Sequence, residues 1–366
     1  MGRRLKIALK TREAQKRLRK EFSKRRVEYP KRVITLWKET MRDRIEKTKA
    51  LIDFRGYRGD FHMHSNHSDG ASTVEDLVHY KEASGLDTIF VTDHNGVTQK
   101  RDCVRFKNVW WGQEPGTQHH HLGILGLDRK FQPKANLAED YHRVIERGGV
   151  PFIPHPTGWF PTTRYSQEQI AALDVLGDEF AIEIINGANQ VYDCFDVTDE
   201  MSIELWDRHL LKGKRVVALG CTDAHLCEAV GDVWTGFHAD ELSKDGVLDA
   251  IRRGRVFVSD APLVELTVQA DGGPIARMGE IFRTGPGPLT VRVLAADSLG
   301  LARVNLIRDG KVLRTWVPDG AYPQDRQVVS HAVTDTDTVG LLYYRLECFA
   351  RDGRRAYSNP VYIRAR

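Results

Sequence analysis

The chain has 366 residues, 41% hydrophobic and 28% charged, a globular balance with length for two or three domains and a sizeable core. No apolar run approaches the roughly 18 residues that a membrane span needs, and no apolar segment follows the basic start as a secretory signal would require, so the sequence reads as a soluble protein. Net charge is +4, but residues 1–32 hold 14 Lys/Arg against 3 Asp/Glu, a local +11, which leaves the other 334 residues at −7. Five cysteines (Cys103, Cys194, Cys221, Cys227, Cys348), odd in number and never in C-x-x-C spacing, argue against a disulfide framework or a thiolate zinc site. They point to a reducing, cytoplasmic location. The basic leader is either a nucleic-acid or membrane-surface arm, or a solvated helix packed on the body or on another subunit. It lacks the aromatic interleaving of a base-stacking platform.

Residues 1–56 are expected to form a helical extension, broken into two helices at Pro30. From 57 to 260 short apolar strands alternate with amphipathic helices. The strands are expected at Phe61–His64, Thr88–Thr92, Val109–Gln113, Leu122–Leu127, Val150–Pro154, Ala181–Ile185 and Val216–Gly220. The helices are expected at Val74–Ala83, Ala138–Arg147, Gln167–Leu173, Met201–Leu211 and Gly246–Arg252. This alternation predicts an α/β fold with a parallel sheet closed as a barrel, the reactive residues lying at its C-terminal strand ends. Beyond Ala261 period-2 runs at Leu263–Val268, Leu289–Ala295, Ala302–Arg308, Lys311–Trp316 and Leu341–Phe349 are separated by Asp-Gly turns. Residues 261–366 therefore read as a small antiparallel β-sandwich, structural in role.

The chemistry concentrates at strand ends. In Asp60-Phe61-His62-Met63-His64-Ser65-Asn66-His67-Ser68-Asp69-Gly70, residues two apart in a strand share a face, so His62 and His64 can reach one metal ion. Asp69 sits in a turn that can fold its carboxylate back toward the same ion. Three more strands end in Asp93-His94, in His155 and in Asp223-Ala224-His225. A ring of imidazoles and carboxylates repels or desolvates itself without cations, so a multinuclear metal centre is expected.

These elements, in this order, resemble the motifs of the PHP superfamily (polymerase and histidinol phosphatase domains) over about residues 57–260. The resemblance implies a distorted (β/α)7 barrel with two or three divalent metals, and histidine and carboxylate ligands without thiolates suit Mn, Fe or Zn. By position it also implies Glu114 as the bridging glutamate and His121 as the histidine that follows it, with His119 and His120 as alternatives to His121. The implied ligand set is His62, His64, Asp69, His94, Glu114, His121, His155, Asp223 and His225, enough for three ions. Aspartate at 69 resembles the trinuclear branch. Gly254–Ser259 and Tyr357–Tyr362 resemble a subgroup that includes a carbaryl hydrolase and carries a C-terminal β-domain.

Two residues are the catalytic candidates. Asp93 can orient a ligand histidine or move a proton, or simply cap a turn. His67 can protonate a leaving group, or be an exposed loop histidine. Glu183 and Asn186 are candidates to line the site, Lys100, Arg101 and Arg105 to grip a phosphate, and Trp110, Trp111, Trp159 and Phe160 to wall it; each also has a purely structural reading. Metal-bound hydroxide then predicts hydrolysis, first of a small phosphoester, alternatively of a carboxylic ester or carbamate. A third reading is a non-catalytic metal-binding module with the basic arm on nucleic acid. No membrane partner is expected, and self-association is compatible with the leader.

Overall fold

The computed structural model describes residues 31–94, 96–116, 121–134, 136–158, 165–187 and 197–365. The leader to residue 30, His119, His120, Trp159, Phe160 and Cys194 thus lie outside the described residues. Helix α1 (Lys31–Ile52) opens the fold. It is followed by β1 (Tyr57–Asp60), α2 (Val74–Ser84), β2 (Thr88–Val91), α3 (Lys100–Cys103), β3 (Val109–Gln113) and β4 (Gly123–Leu125). Next come α4 (Leu137–Glu146), β5 (Val150–Phe152), α5 (Gln167–Ala172), β6 (Glu179–Asn186) and α6 (Val197–Leu211). The chain continues with β7 (Arg215–Cys221), β8 (Trp234–Phe237), α7 (Lys244–Arg252) and β9 (Val256–Ser259).

The C-terminal part is all strand: β10 (Leu263–Ala270), β11 (Ile275–Arg277), β12 (Ile281–Thr284), β13 (Leu289–Ala296) and β14 (Leu301–Arg308). It ends with β15 (Lys311–Trp316), β16 (Val328–Asp335), β17 (Tyr343–Ala350), β18 (Arg355–Ser358) and β19 (Val361–Ala365). Local chemistry accounts for several boundaries. Thr73 caps α2 in a capping box with Asp76, and Gly85 closes it at φ 64°, a left-handed position that favours glycine.

The architecture is a mixed α/β one built on a large sheet. Strands β1, β2 and β3 pair in parallel, but β4 runs antiparallel to both β3 and β5, and β8 antiparallel to β1. This corrects the expectation of a parallel sheet. The β3–β4 connection is too short for the dozen or more residues that a crossover needs, so the chain doubles back. The β6–β7 pair forms its own parallel sheet. Single bridges at Ile153–Ile182 and Met63–Ala224 link it to the strands on either side. Among the described residues no continuous ladder closes these strands into a barrel. The first ladder also lies earlier than expected: pairing ends at Asp60, and beyond it the chain keeps only the Met63–Ala224 bridge.

Beneath the strand ends, Phe61, Phe90, Phe152 and Leu219 belong to one buried cluster, with Phe61 edge-on to Phe90. In the C-terminal part, β11, β10, β13 and β16 form a four-stranded antiparallel sheet. Strands β14, β17 and β18 instead continue the large sheet through β9, and Leu266, Val293, Leu306 and Leu346 of the two layers share one core. Helix α1 is tied to both parts. Buried Lys38 donates to Val230 O at 2.9 Å and pairs with Asp232. Arg44 pairs with Asp297 at 2.8 Å and Asp352 at 2.5 Å. Four cysteines (Cys103, Cys221, Cys227, Cys348) are buried and unpaired. Among the described residues no helix is long and apolar enough to cross a membrane.

His209, on α6, is buried against Phe180, and burial pushes its pKa down to about 4. Because the folded value is depressed, the unfolded chain takes up this proton first, and stability is lost as pH falls from about 6.5 toward 4. Between pH 7 and pH 5 the wild type is expected to lose roughly 2 kcal/mol more than His209→Leu in urea unfolding. Equal losses would contradict a neutral buried imidazole.

Candidate metal centre

The ends of β1, β2, β3, β5 and β7, the start of β4 and the turn that carries Asp69 bring nine ionisable side chains to one place. His62 and His64 follow β1, His94 follows β2, Glu114 follows β3, His155 follows β5, and Asp223 and His225 follow β7. Because β4 is antiparallel, His121, just before it, lies at the same end. Their donor atoms form three groups, each with one atom per residue and all atoms within 4.8 Å of one another: His64, Asp69, His94 and His225; His62, His64, Glu114 and Asp223; Glu114, His121 and His155.

Local backbone geometry builds this convergence. His155 (φ 29°) and Asp223 (φ 49°) occupy the left-handed region that non-glycine residues avoid. Gly70 lies so close to the strand end that a Cβ there would meet His64 O at 2.1 Å. Only glycine lets the Asp69 turn fold onto His64. A register shift between Glu183 and Ile185 in β6 re-aims that strand beneath the histidines.

Glu114 is the hub. Its Oε1 lies 2.8 Å from His121 Nδ1 and 3.1 Å from His155 Nε2, while its Oε2 lies 3.3 Å from ring nitrogens of His62, His64 and His94. Asp223 Oδ1 sits 3.0 Å from His64 Nε2 and 3.3 Å from His62 Nε2, and those two nitrogens are 3.3 Å apart. His94 and His225 each hold Nδ1 on a backbone carbonyl at 2.8 Å, of Glu114 and Asp223 respectively. That leaves each Nε2 toward Asp69, at 3.4 and 3.6 Å. His62, His64, Glu114, His155 and Asp223 are buried; Asp69, His94, His121 and His225 form the more open side.

Electrostatics follows from this packing. Burial opposes charge on His62, yet Asp223, Glu114 and Glu183 outweigh it and raise its pKa well above the ordinary value. His64, His94, His155 and His225 shift the same way for the same reason. Burial favours the neutral forms of Glu114, Asp69 and Asp223, and the surrounding histidines overcome it, holding all three below the usual carboxylate range.

The residues present suit divalent metal. His64 Nδ1 and His155 Nδ1 are buried without a hydrogen-bond partner, and two imidazole nitrogens face each other. Histidine and carboxylate donors without thiolate match Mn²⁺, Fe²⁺ or Zn²⁺.

Other sequence candidates fall around this cluster. Asp93 is buried and accepts from Ser65 N (2.8 Å), Ser65 Oγ (2.6 Å) and Ser68 Oγ (2.5 Å), so it holds the loop that carries Asp69. His67 turns away: its Nε2 is 2.7 Å from Asp102 and its Nδ1 3.0 Å from Thr98 Oγ1. Glu183 reaches the histidines directly, with Oε1 3.2 Å from His62 Nδ1 and Oε2 accepting from His155 N and Asn186 Nδ2, both at 2.8 Å. Trp110 packs on Phe90, and Trp111 lies under Lys100 and Lys244 with Nε1 on Asp128.

Two contributors went unnoticed in the sequence. Asp60 is fully buried, pushed up to about 7 by burial, and accepts from Thr222 N and Oγ1, which ties β1 to the end of β7. Tyr165 donates its hydroxyl to His121 O. Asp60 heads the His-x-His run, which was a signal for it; Tyr165 had none.

Residues 214–256 match the family model PHP_C, described as PHP-associated, which supports the PHP superfamily. Among curated proteins the chain is 26% identical over 236 residues to DNA polymerase/3′-5′ exonuclease PolX of Bacillus subtilis, covering 55% of this chain and 39% of that protein. The chain therefore spans about two fifths of that relative's length. Among solved structures it is similar to a two-domain protein of Bacteroides vulgatus containing a predicted PHP-like metal-dependent phosphoesterase. The identity is 17%, the TM-score 0.44, and the match covers 85% of this chain and 96% of that one. It is also similar to a lesion-specific endonuclease of Pyrococcus furiosus, at 13% identity and TM-score 0.38, over 54% of this chain and 56% of that one.

Proposed function

We propose that this protein is a metal-dependent hydrolase of the PHP superfamily that cleaves phosphoesters at a centre of up to three divalent cations. The observation that carries the proposal is Glu114: its two carboxylate oxygens face two different sets of histidines, the arrangement a bridging carboxylate needs between adjacent ions. In this reading His62, His64, Glu114 and Asp223 hold one ion, Glu114, His121 and His155 a second, and Asp69, His94 and His225 the third. Bound there, such ions supply a water of lowered pKa and neutralise charge on the scissile group.

The rest of the work falls to the chain. Glu183 fixes His62 through Nδ1, leaving Nε2 as the ligand atom. Asp93 is a positioning residue that pins the Ser65–Ser68 loop and so aims Asp69. The strands between β1 and β7 act as a barrel-like frame of the (β/α)7 type, residues 57–260 forming the hydrolase domain and 261–366 a β-domain beside it.

The test compares hydrolysis of p-nitrophenyl phosphate and p-nitrophenyl acetate by Mn²⁺-loaded protein, with His62→Ala/His64→Ala alongside. Phosphate turnover lost in the double variant is the expected result. Acetate turnover alone would move the assignment to carboxylic esters and carbamates. Silence on both substrates would favour a binding module, and full activity in the double variant would overturn the site.

A further inference from the structure

At the end of the strands opposite the metal centre, a cavity of about 270 Å³ opens among the starts of β5, β6 and β7, helix α4 and the last turn of α7. We propose that it is a second ligand site, which takes a small monocarboxylate with an apolar body of about eight carbons and holds the carboxylate on Arg252. It is separate from the metal centre: Val217, in its wall, precedes Cys221 by about 13 Å along β7, and Asp223 lies beyond.

The cavity exists because two strands fail to meet. The parallel pairing of β5 with β6 is a single bridge, Ile153–Ile182, in which Ile153 N donates to Ala181 O and Glu183 N to Ile153 O. One step back, a continued ladder would join Ala181 N to Pro151 O and the nitrogen of residue 151 to Glu179 O. Proline has no N–H to give. The Tyr141 hydroxyl enters instead, accepting from Ala181 N at 2.9 Å and donating to Pro151 O at 3.2 Å. With that oxygen between them the strands part toward their starts, and the gap is walled by Val150, Ala181, Val217 and Ile251, all buried.

The interior is apolar and the mouth is charged. Glu179 is taken by Arg215 at 2.9 Å, and Arg215 also donates to Gly279 O and Arg252 O at 3.1 and 3.2 Å. Arg252 is exposed and donates to Gly148 O at 2.7 Å, with no acidic partner among the described residues. Its neighbours Arg253 and Arg255 both pair with Asp249. A guanidinium has five N–H donors in a fork that matches a carboxylate, so Arg252 keeps donors to spare. Two arginines against one glutamate leave the lining with a single uncompensated positive charge, which suits a monoanion. Size sets the body of the ligand: a cavity of about 150 Å³ takes a six-carbon ring, so this one holds about ten non-hydrogen atoms, the count of an eight-carbon carboxylate.

Calorimetric titration of the metal-free, full-length protein with octanoate, butyrate and 1-octanol tests the site. Each buried methylene is worth about fourfold in affinity, so octanoate is expected to bind at least about tenfold more tightly than butyrate. Arg252→Ala should weaken octanoate about tenfold or more and leave 1-octanol unchanged. Ile145→Glu, which sets a like charge at the half-exposed rim, should also weaken octanoate. Both positions are exposed, so both variants are expected to keep the fold, checked by circular dichroism. His62→Ala/His64→Ala should bind octanoate as the wild type does.

Absence of octanoate binding overturns the site, as does an affinity indifferent to both substitutions. Equal affinity for butyrate overturns the apolar body, and an equal loss of 1-octanol in Arg252→Ala overturns the role of that guanidinium. Binding that needs metal, or that needs His62 and His64, would place the carboxylate at the metal centre and overturn the assignment.

Discussion

Glu114→Ala is expected to remove at least one metal ion per chain and to lower phosphoester turnover by about a thousandfold or more. The side chain lies within 3.3 Å of five histidines and shares one oxygen between two of them and the other among three. Removing one well-placed donor from an electrostatically tuned site commonly costs ~10²–10³ in rate, and Glu114 belongs to two of the three donor groups. Metal content by elemental analysis together with kcat checks this; an unchanged metal complement would refute the bridging role.

The same residue contributes to the pH behaviour of the metal-free protein. The folded pKa values of His62, His64, His94 and His155 are raised, with Glu114 among the causes. Their contribution to stability is therefore complete below about 6.5 and is lost as pH rises through the raised values. Metal must displace those protons, so metal loading should weaken as pH falls.

Glu183→Gln is expected to weaken metal binding by about 10–100-fold while the fold persists. Glu183 lies behind the ligand cluster: one oxygen fixes His62 Nδ1 and the other accepts the backbone N–H of His155 and the Asn186 amide. Outer partners of metal-bound imidazoles act by orienting the ring and raising its basicity, and losing them costs roughly this factor. Glutamine keeps the volume and one acceptor oxygen, so melting should change far less than affinity. Metal titration beside thermal unfolding distinguishes the two; a large drop in melting temperature with unchanged affinity would make Glu183 a core residue.

The division between what was readable and what was not has a physical basis. Local chemistry determined where strands and helices fall: Val109–Gln113 and Lys311–Trp316 appear at the bounds expected from β-rich runs, and α2 starts at the Thr73 capping box. The sequence also carried the residue types of the centre, because an apolar strand that ends in His or Asp has no packing reason to do so. Other features are long-range. The reversal of β4, which brings His121 to the ligand end, depends on how tightly a short connection must fold against its neighbours. The pairing of β9 with β18 joins segments about a hundred residues apart and carries the large sheet into the C-terminal strands.

The roles of the acidic residues divide in the same way. Asp93 and Glu183 were both visible as candidates, but only the tertiary structure turned Asp93 onto two serines of the Asp69 loop and bent β6 so that Glu183 meets His62. A carboxylate's identity is written in the chain, whereas the partner that sets its charge state and its task is whichever group the fold places within about 3 Å of it.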